Sequence, residues 1–195
     1  MAKDQGKGAG RRLTARDWVD EALIALGEGG LASVAVEPLA KRLKTTKGSF
    51  YWHFANREAL IDAVLQRWEE LNTEGVITAV NDEPDPERRL RNLFKAVPAA
   101  TDGDPIEVVL VGSVRHPQVA AALRRVTERR IDYVTQILAE LGFPADEARR
   151  RAVLIYTSHL GQTHLMHAAP DVLPAGRDDR KRYLETVLEV LLHRD

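Results

Sequence analysis

Apolar positions recur every three to four residues along most of this chain, and no segment alternates strictly over the length of a strand. That period belongs to amphipathic helices. Trp18, Val19, Ala22, Leu23 and Leu26 make one apolar face. Ahead of them, Thr14-Ala-Arg-Asp17 has the form of a capping box, with Asp in place of Glu or Gln. A first helix is therefore expected from Thr14, stopped by Gly27-Glu-Gly-Gly30. A short second helix is expected over Glu37–Leu43, with Pro38 in its first turn. Lys44-Thr45 leads to a third, Thr46–Phe54, whose Phe50 and Phe54 share a face. Asn56 can cap a fourth helix reaching about Thr73, with Leu60, Ile61, Val64, Leu65, Trp68 and Leu71 as its apolar stripe.

A break at Asn81–Pro86 follows. Further helices are expected over Pro86–Val97, Ile106–Val114, Pro117–Leu141, Ala145–Ala168 and Asp178–His193, with loops at Pro98–Pro105 and Ala169–Gly176. The resulting picture is all-α: a three-helix, helix-turn-helix head on a larger C-terminal helical bundle, about nine helices in total. The expected division is a disordered basic tail over 1–13, a helix-turn-helix DNA-binding domain over 14–57, and a ligand-binding and dimerisation domain over 58–195.

Charge adds one feature to this picture. The net charge is −1, but residues 1–57 carry ten Lys/Arg against six Asp/Glu, and residues 58–195 carry eighteen against twenty-three. A basic head on an acidic body suits a polyanion partner at the head. The absence of cysteine excludes disulfides, thiolate nucleophiles and Cys-based zinc sites. No apolar run approaches the ~20 residues that span a bilayer, and Met1–Arg12 lack a signal-peptide core, so a cytoplasmic protein without a membrane partner is expected.

Two short helices joined by a tight turn are the core of a helix-turn-helix, whose second helix enters the major groove. Such a helix needs small residues where the backbone nears DNA, and outward donors. In Thr46-Lys-Gly-Ser-Phe-Tyr-Trp-His-Phe54, Phe50 and Phe54 can anchor inward. Thr46, Lys47, Gly48 and Ser49 then stand at the helix N-terminus, and Tyr51, Trp52 and His53 crowd the other faces. Three such aromatics need a partner surface, either nucleic acid or the helical body.

Ala40-Lys-Arg-Leu43, Lys47-Gly-Ser-Phe-Tyr-Trp-His-Phe54 and Asn56-Arg-Glu-Ala-Leu60 resemble the signature of the tetracycline-repressor (TetR) family. The resemblance implies that Thr14 touches phosphate and that Thr46, Lys47, Gly48 and Ser49 face base edges. It also implies that Tyr51 and His53 hold phosphates, that Trp52 lies against the groove wall, and that Arg57 stands where the family usually has a phosphate-binding Lys. Three positions depart from the pattern. Lys44 replaces the usual turn Gly, Thr45 replaces an apolar residue, and Glu37 stands near a position that contacts bases in some members. The same resemblance implies a homodimer reading a palindromic operator in double-stranded DNA, with the last two helices of each subunit forming a four-helix bundle.

In the body, Tyr183, Leu184, Val187, Leu188, Val190, Leu191 and Leu192 cover more than one face of the last helix, which favours a subunit interface. The candidate interface residues are Tyr183, Leu184, Val187, Leu188 and Leu191. Tyr156, His159, Thr163 and His167 fall within an arc of ~80° on one helix. They could line an effector pocket or a dimer seam. Trp68, Phe94, Arg115, His116 and Tyr133 are further candidates for that pocket. His164 and His167 could chelate a metal, but His159 points ~140° away from His164 and no acid lies between Arg149 and Ala169. Neither a metal nor a cofactor is expected.

The function these features suggest is a transcriptional regulator, a repressor released from its operator by a small-molecule effector. A helical protein-binding adaptor is one alternative. A His-dependent hydrolase is a weaker one, because the chain has no Gly-x-Ser-x-Gly elbow and no carboxylate pair beside a His. The chain is therefore not expected to be an enzyme.

Overall fold

The computed structural model describes residues 12–101, 106–174 and 176–193. Most of the expected basic tail, residues 1–11, lies outside these. Every regular element among the described residues is helical. They are α1 (Ala15–Gly29), α2 (Val36–Arg42), α3 (Lys47–Tyr51), α4 (Arg57–Glu69), α5 (Gly75–Asn81), α6 (Pro86–Thr101), α7 (Ile106–Gly112), α8 (Pro117–Glu140), α9 (Ala145–Ala168) and α10 (Arg177–Leu192). A π turn, Glu70–Glu74, carries α4 into α5 without a break, so these ten elements form nine separate rods.

The local signals act where the sequence places them. The Thr14 side chain accepts from the Asp17 N–H at 3.3 Å, and the Asp17 carboxylate accepts from the Thr14 N–H and hydroxyl, each at 2.7 Å. Both halves of the capping box are present. α1 runs through Gly27 and ends at Gly30, whose φ of 73° lies in the left-handed region. Asn56 caps α4 by accepting from the Ala59 N–H at 2.8 Å.

Two expectations are corrected. The fourth helix does not end near Thr73 but continues to Asn81. A π turn inserts one extra residue into the helical repeat. The buried stripe Leu60, Ile61, Val64, Leu65, Trp68 therefore resumes one place late, at Thr73, Val76, Ile77 and Val80. Leu71, which the unshifted repeat puts inside, is 43% exposed. The second correction concerns Pro98. α6 passes through it to Thr101, although proline removes a backbone donor there. The rest of that expected loop, residues 102–105, lies outside the described residues.

The buried side chains form two clusters. The first packs Trp18, Leu26, Leu39, Phe50, Leu60 and Trp68 around the short helices. Ile106 and Leu110 of α7 and Val119, Ala122 and Val126 of α8 close it from the body side. The second packs Ile77, Val80, Leu90, Ile137, Leu138, Ile155, Leu188 and Leu191. α8 serves both, and the α4–α5 rod passes from one to the other at the π turn. Three α8 arginines hold the π turn or the residue just before it. Arg125 pairs with Glu69 at 3.1 Å, and Arg129 grips the Glu74 carboxylate by two bonds of 2.8 and 3.1 Å. Arg130 bonds Thr73 Oγ1 and the Asn72 carbonyl. Among the described residues, no helix is long and apolar enough to cross a membrane.

Candidate functional site

The chain turns between α2 and α3 within four residues, Leu43–Thr46. The Thr45 N–H donates to the Ala40 carbonyl at 2.9 Å and the Lys44 N–H to the Lys41 carbonyl at 3.1 Å. This bond pair is a Schellman motif, which needs a left-handed residue at its centre. Here that residue is Lys44, with φ 51°, and among the described residues it is the non-glycine with positive φ. The same motif ends α8. There Phe143 N–H bonds Leu138 O, Gly142 N–H bonds Ala139 O, and the left-handed residue is Gly142 at φ 91°. The α2–α3 turn thus keeps the geometry that glycine favours while using lysine.

α3 is shorter than expected. Thr46 caps it, accepting from the Ser49 N–H at 3.4 Å, and the helix ends at Tyr51. The Phe50 carbonyl then accepts from both His53 N–H and Phe54 N–H, at 2.9 and 3.0 Å, and closes the turn. Phe50 anchors the helix, with its ring edge-on to Trp18 at 5.3 Å and stacked with Phe54 at 5.5 Å. Thr46, Lys47 and Gly48 are exposed, and so are Tyr51 and Trp52, at 62% and 79%. Ser49 and His53 are half-buried. The aromatic run therefore faces outward rather than packing onto the body. Gly48 has no positive φ, and a Cβ there would meet only Thr46 Oγ1, at 3.6 Å. The fold itself has room for a side chain at this position.

Two charged groups are less free than their sequence positions suggest. Lys47 forms an ion pair with Glu37 of α2, and this bond holds the Glu37 carboxyl below its ordinary range. Arg57 turns inward, donating from Nε to the Val34 carbonyl at 2.6 Å and from Nη2 to the Leu31 carbonyl at 2.7 Å. It ties α4 to the loop after α1. Arg42 joins α2 to α1 through Glu28 at 2.5 Å and through Glu21.

A cavity open to solvent lies between α5, α6, α8 and α9. Val76, Ile77, Leu93, Phe94, Val134, Ile155 and Leu184 give it a largely apolar wall. Of the nine effector-pocket candidates, Tyr156 and His159 line it. Phe94 and Tyr133, named from sequence as further candidates, line it as well. The other five lie elsewhere, Arg115 among them and exposed. Thr163 is buried with its Oγ1 unpartnered, and His167 is exposed with Nδ1 2.8 Å from the Thr163 carbonyl. His116 stands at the N-cap of α8, and Trp68 is buried in the first core. The arc shared by the α9 residues thus divides along the helix axis, because the cavity is only about two turns deep along α9.

Sequence reasoning missed the polar end of this cavity. Arg130 Nη1 donates to Glu107 Oε1 at 2.7 Å, and the guanidinium lies over the Trp68 ring at 5.6 Å. His159 Nε2 lies 3.5 Å from Glu107 Oε2. Burial pushes the Glu107 carboxyl up, but His159 and Arg130 more than reverse this, so it titrates below its ordinary value. Burial raises the Tyr156 hydroxyl, with a partly offsetting bond to Thr127 at 3.0 Å. A signal for Glu107 was present in the sequence, where it is the one acid in the apolar run Ile106–Val111.

The expected dimer residues also divide. Leu188 and Leu191 are buried in the chain's own second core, Val187 packs against it, and Leu184 lines the cavity. Spaced by three and four, Leu184, Leu188 and Leu191 give α10 one inward face. Tyr183 lies on the other side with Thr186 and Val190, the last 68% exposed. On α9 the outer face carries Val153, Leu154, Thr157, Gly161 and His164.

A helix-turn-helix on an all-helical body with a largely apolar cavity defines the class: a DNA-binding transcriptional regulator. Residues 19–64 match the family model described as bacterial regulatory proteins, tetR family. The chain is 30% identical over 156 residues to the HTH-type transcriptional activator FasR of Mycolicibacterium smegmatis, covering 76% of this chain and 71% of that protein. It is 46% identical over 42 residues to the class G tetracycline repressor protein of Vibrio anguillarum, 22% of this chain and 20% of that protein. A TetR transcriptional regulator from Legionella pneumophila has the same fold, with a TM-score of 0.71 at 14% identity, over 98% of this chain and 97% of that one. The chain belongs to the TetR family of transcriptional regulators.

Proposed function

We propose that this regulator is a homodimer that holds a palindromic operator through α3 and releases it when a small molecule enters the cavity between α5, α6, α8 and α9. Residues 14–57 are the operator-reading head and 58–195 the effector and dimer body. Gly48 carries this reading. A glycine inside a helix costs up to ~1 kcal/mol relative to alanine, and the fold does not need it here because a Cβ would meet nothing closer than 3.6 Å. The demand for a small residue comes from a surface outside the chain. Exposed Lys47, Tyr51 and Trp52 flank it, as a helix that nears a groove floor requires.

In this reading Thr46, Lys47, Gly48 and Ser49 face base edges. Thr14, Tyr51 and His53 take phosphates, and Trp52 rests on the groove wall. Lys47 exchanges Glu37 for DNA, and Arg57 acts by fixing the head rather than by touching phosphate. Repression is the sign proposed here, although the relatives named above include an activator as well as a repressor. Support for the dimer comes from the outer faces of α9 and α10, where Gly161 leaves open space for a second copy.

Fluorescence anisotropy with labelled DNA from upstream of the gene tests the reading. Binding is expected to weaken steeply with salt as phosphate contacts release counterions. Lys47→Ala with Tyr51→Ala should abolish binding while leaving the helical circular-dichroism spectrum intact. Salt-independent binding, or full binding by the double variant, would sink the proposal.

A further inference from the structure

The cavity's polar end has an unusual charge layout. Among the described residues, its wall carries Arg130 and His159 but no carboxylate. The acid that serves them both, Glu107, stands behind the wall and is 5% exposed. Arg130 uses three bonds to hold Glu107, Thr73 Oγ1 and the Asn72 carbonyl. Arg130 also lines the cavity, together with Tyr156.

We propose that the cavity takes an apolar ligand ending in a carboxylate, which competes with Glu107 for Arg130 and His159. This rests on the reading of the cavity as the switch site, and adds the chemical class of its effector. A carboxylate presents two coplanar acceptors that match a guanidinium fork, and charge-assisted bonds of this kind are about twice as strong as neutral ones. A cationic head is repelled by Arg130. A hydroxyl head gains only neutral acceptance and cannot displace an ionised acid. The apolar remainder of the ligand lies along Val76, Ile77, Phe94 and Leu184.

The competition has a structural consequence. Once the ligand takes the cations, Glu107 is a buried charge without a partner, a costly state that drives its helix outward toward water. That helix is α7, whose Ile106 and Leu110 sit in the first core beside Trp18 and Leu26 of α1. Arg130 also holds the π turn of the α4–α5 rod through Asn72 and Thr73. One ligand head thus acts on two of the elements that join the cavity to the helix-turn-helix.

Isothermal titration with octanoate, decanoate, dodecanoate and tetradecanoate, against decan-1-ol and decylamine, tests the class. The best acid should bind at least about tenfold more tightly than the alcohol, and the amine should not bind. Glu107→Gln removes the competing charge and should tighten acid binding by about tenfold, while weakening operator affinity without ligand. A tighter complex cannot result from misfolding. Equal binding of acid and alcohol, no gain in the Gln variant, or no binding by any acid overturns the proposal. Release of the operator by a host lipid extract, assayed in parallel, then decides separately whether the cavity is a switch. Tight acid binding with unchanged operator affinity would keep the ligand class and reject the switch.

Discussion

At the scale of single residues, the α2–α3 turn and the start of α3 make opposite demands. Lys44 holds a left-handed conformation that costs a side chain roughly 1–2 kcal/mol, in a motif that α8 completes with Gly142. Lys44→Gly should therefore raise the urea midpoint, by the equivalent of ~0.5–1 kcal/mol once the greater freedom of the unfolded glycine is subtracted. Gly48→Ala should also stabilise the chain, by up to ~1 kcal/mol, yet lower operator affinity by about tenfold or more through a methyl group facing the groove. Stability gained and binding lost in one variant is a signature that a folding defect cannot imitate. Arg57→Ala should cost ~2 kcal/mol, read as a lower Tm, because two charge-assisted bonds to carbonyls are lost. Lys44 and Gly48 were visible in the sequence as departures or small residues. Arg57 was visible only as a position that resembles a phosphate contact. Its inward turn depends on where the Leu31 and Val34 carbonyls end up, and no local pattern encodes that.

At the scale of elements, the helices were legible because periodicity and caps agree: Thr14, Thr46 and Asn56 all cap the helices they precede. The π turn was not legible. Its sign is a one-place slip of the buried stripe between Trp68 and Thr73, hidden by Leu71, which continues the old phase but is exposed. α10 shows the same limit in another form. Its leucines were readable as apolar, but which face meets the chain's own core depends on where α9 and the cavity lie. The consequence for assembly falls on the opposite face. Gly161→Leu places a large side chain where nothing of the chain stands within 4 Å of a Cβ. It should leave the monomer's helical content unchanged and shift sedimentation toward monomer. A sedimentation profile unaffected by that change would exclude this face from the interface.

At the scale of the whole molecule, one carboxylate links pocket, head and acid stability. Glu107 titrates below its ordinary value of 4.5 in the folded chain. A depressed acid stabilises the fold above its unfolded value, and that contribution is lost as pH falls through the lower folded value. Below 4.5 the native chain should therefore lose part of its margin over Glu107→Gln. Urea unfolding at neutral pH should show the Gln variant weaker by ~2 kcal/mol, since it leaves the Arg130 charge without its acid. The gap should narrow at about pH 3.5. An equal gap at both values would place the Glu107 charge outside the fold's energetics.

The three tryptophans stand at three different depths. Trp18 is fully enclosed in the first core, Trp68 lies beneath the Arg130 guanidinium at the cavity's polar end, and Trp52 is 79% exposed on the outer side of the head. The chain therefore carries its own optical reporters. Emission from the solvated indole of Trp52 should respond to the operator, and that of Trp68 to whatever meets Arg130. The signal of Trp18 should change most when the head itself melts. Single-tryptophan variants would let the same emission measurement follow DNA engagement, effector entry and unfolding, one variant for each event.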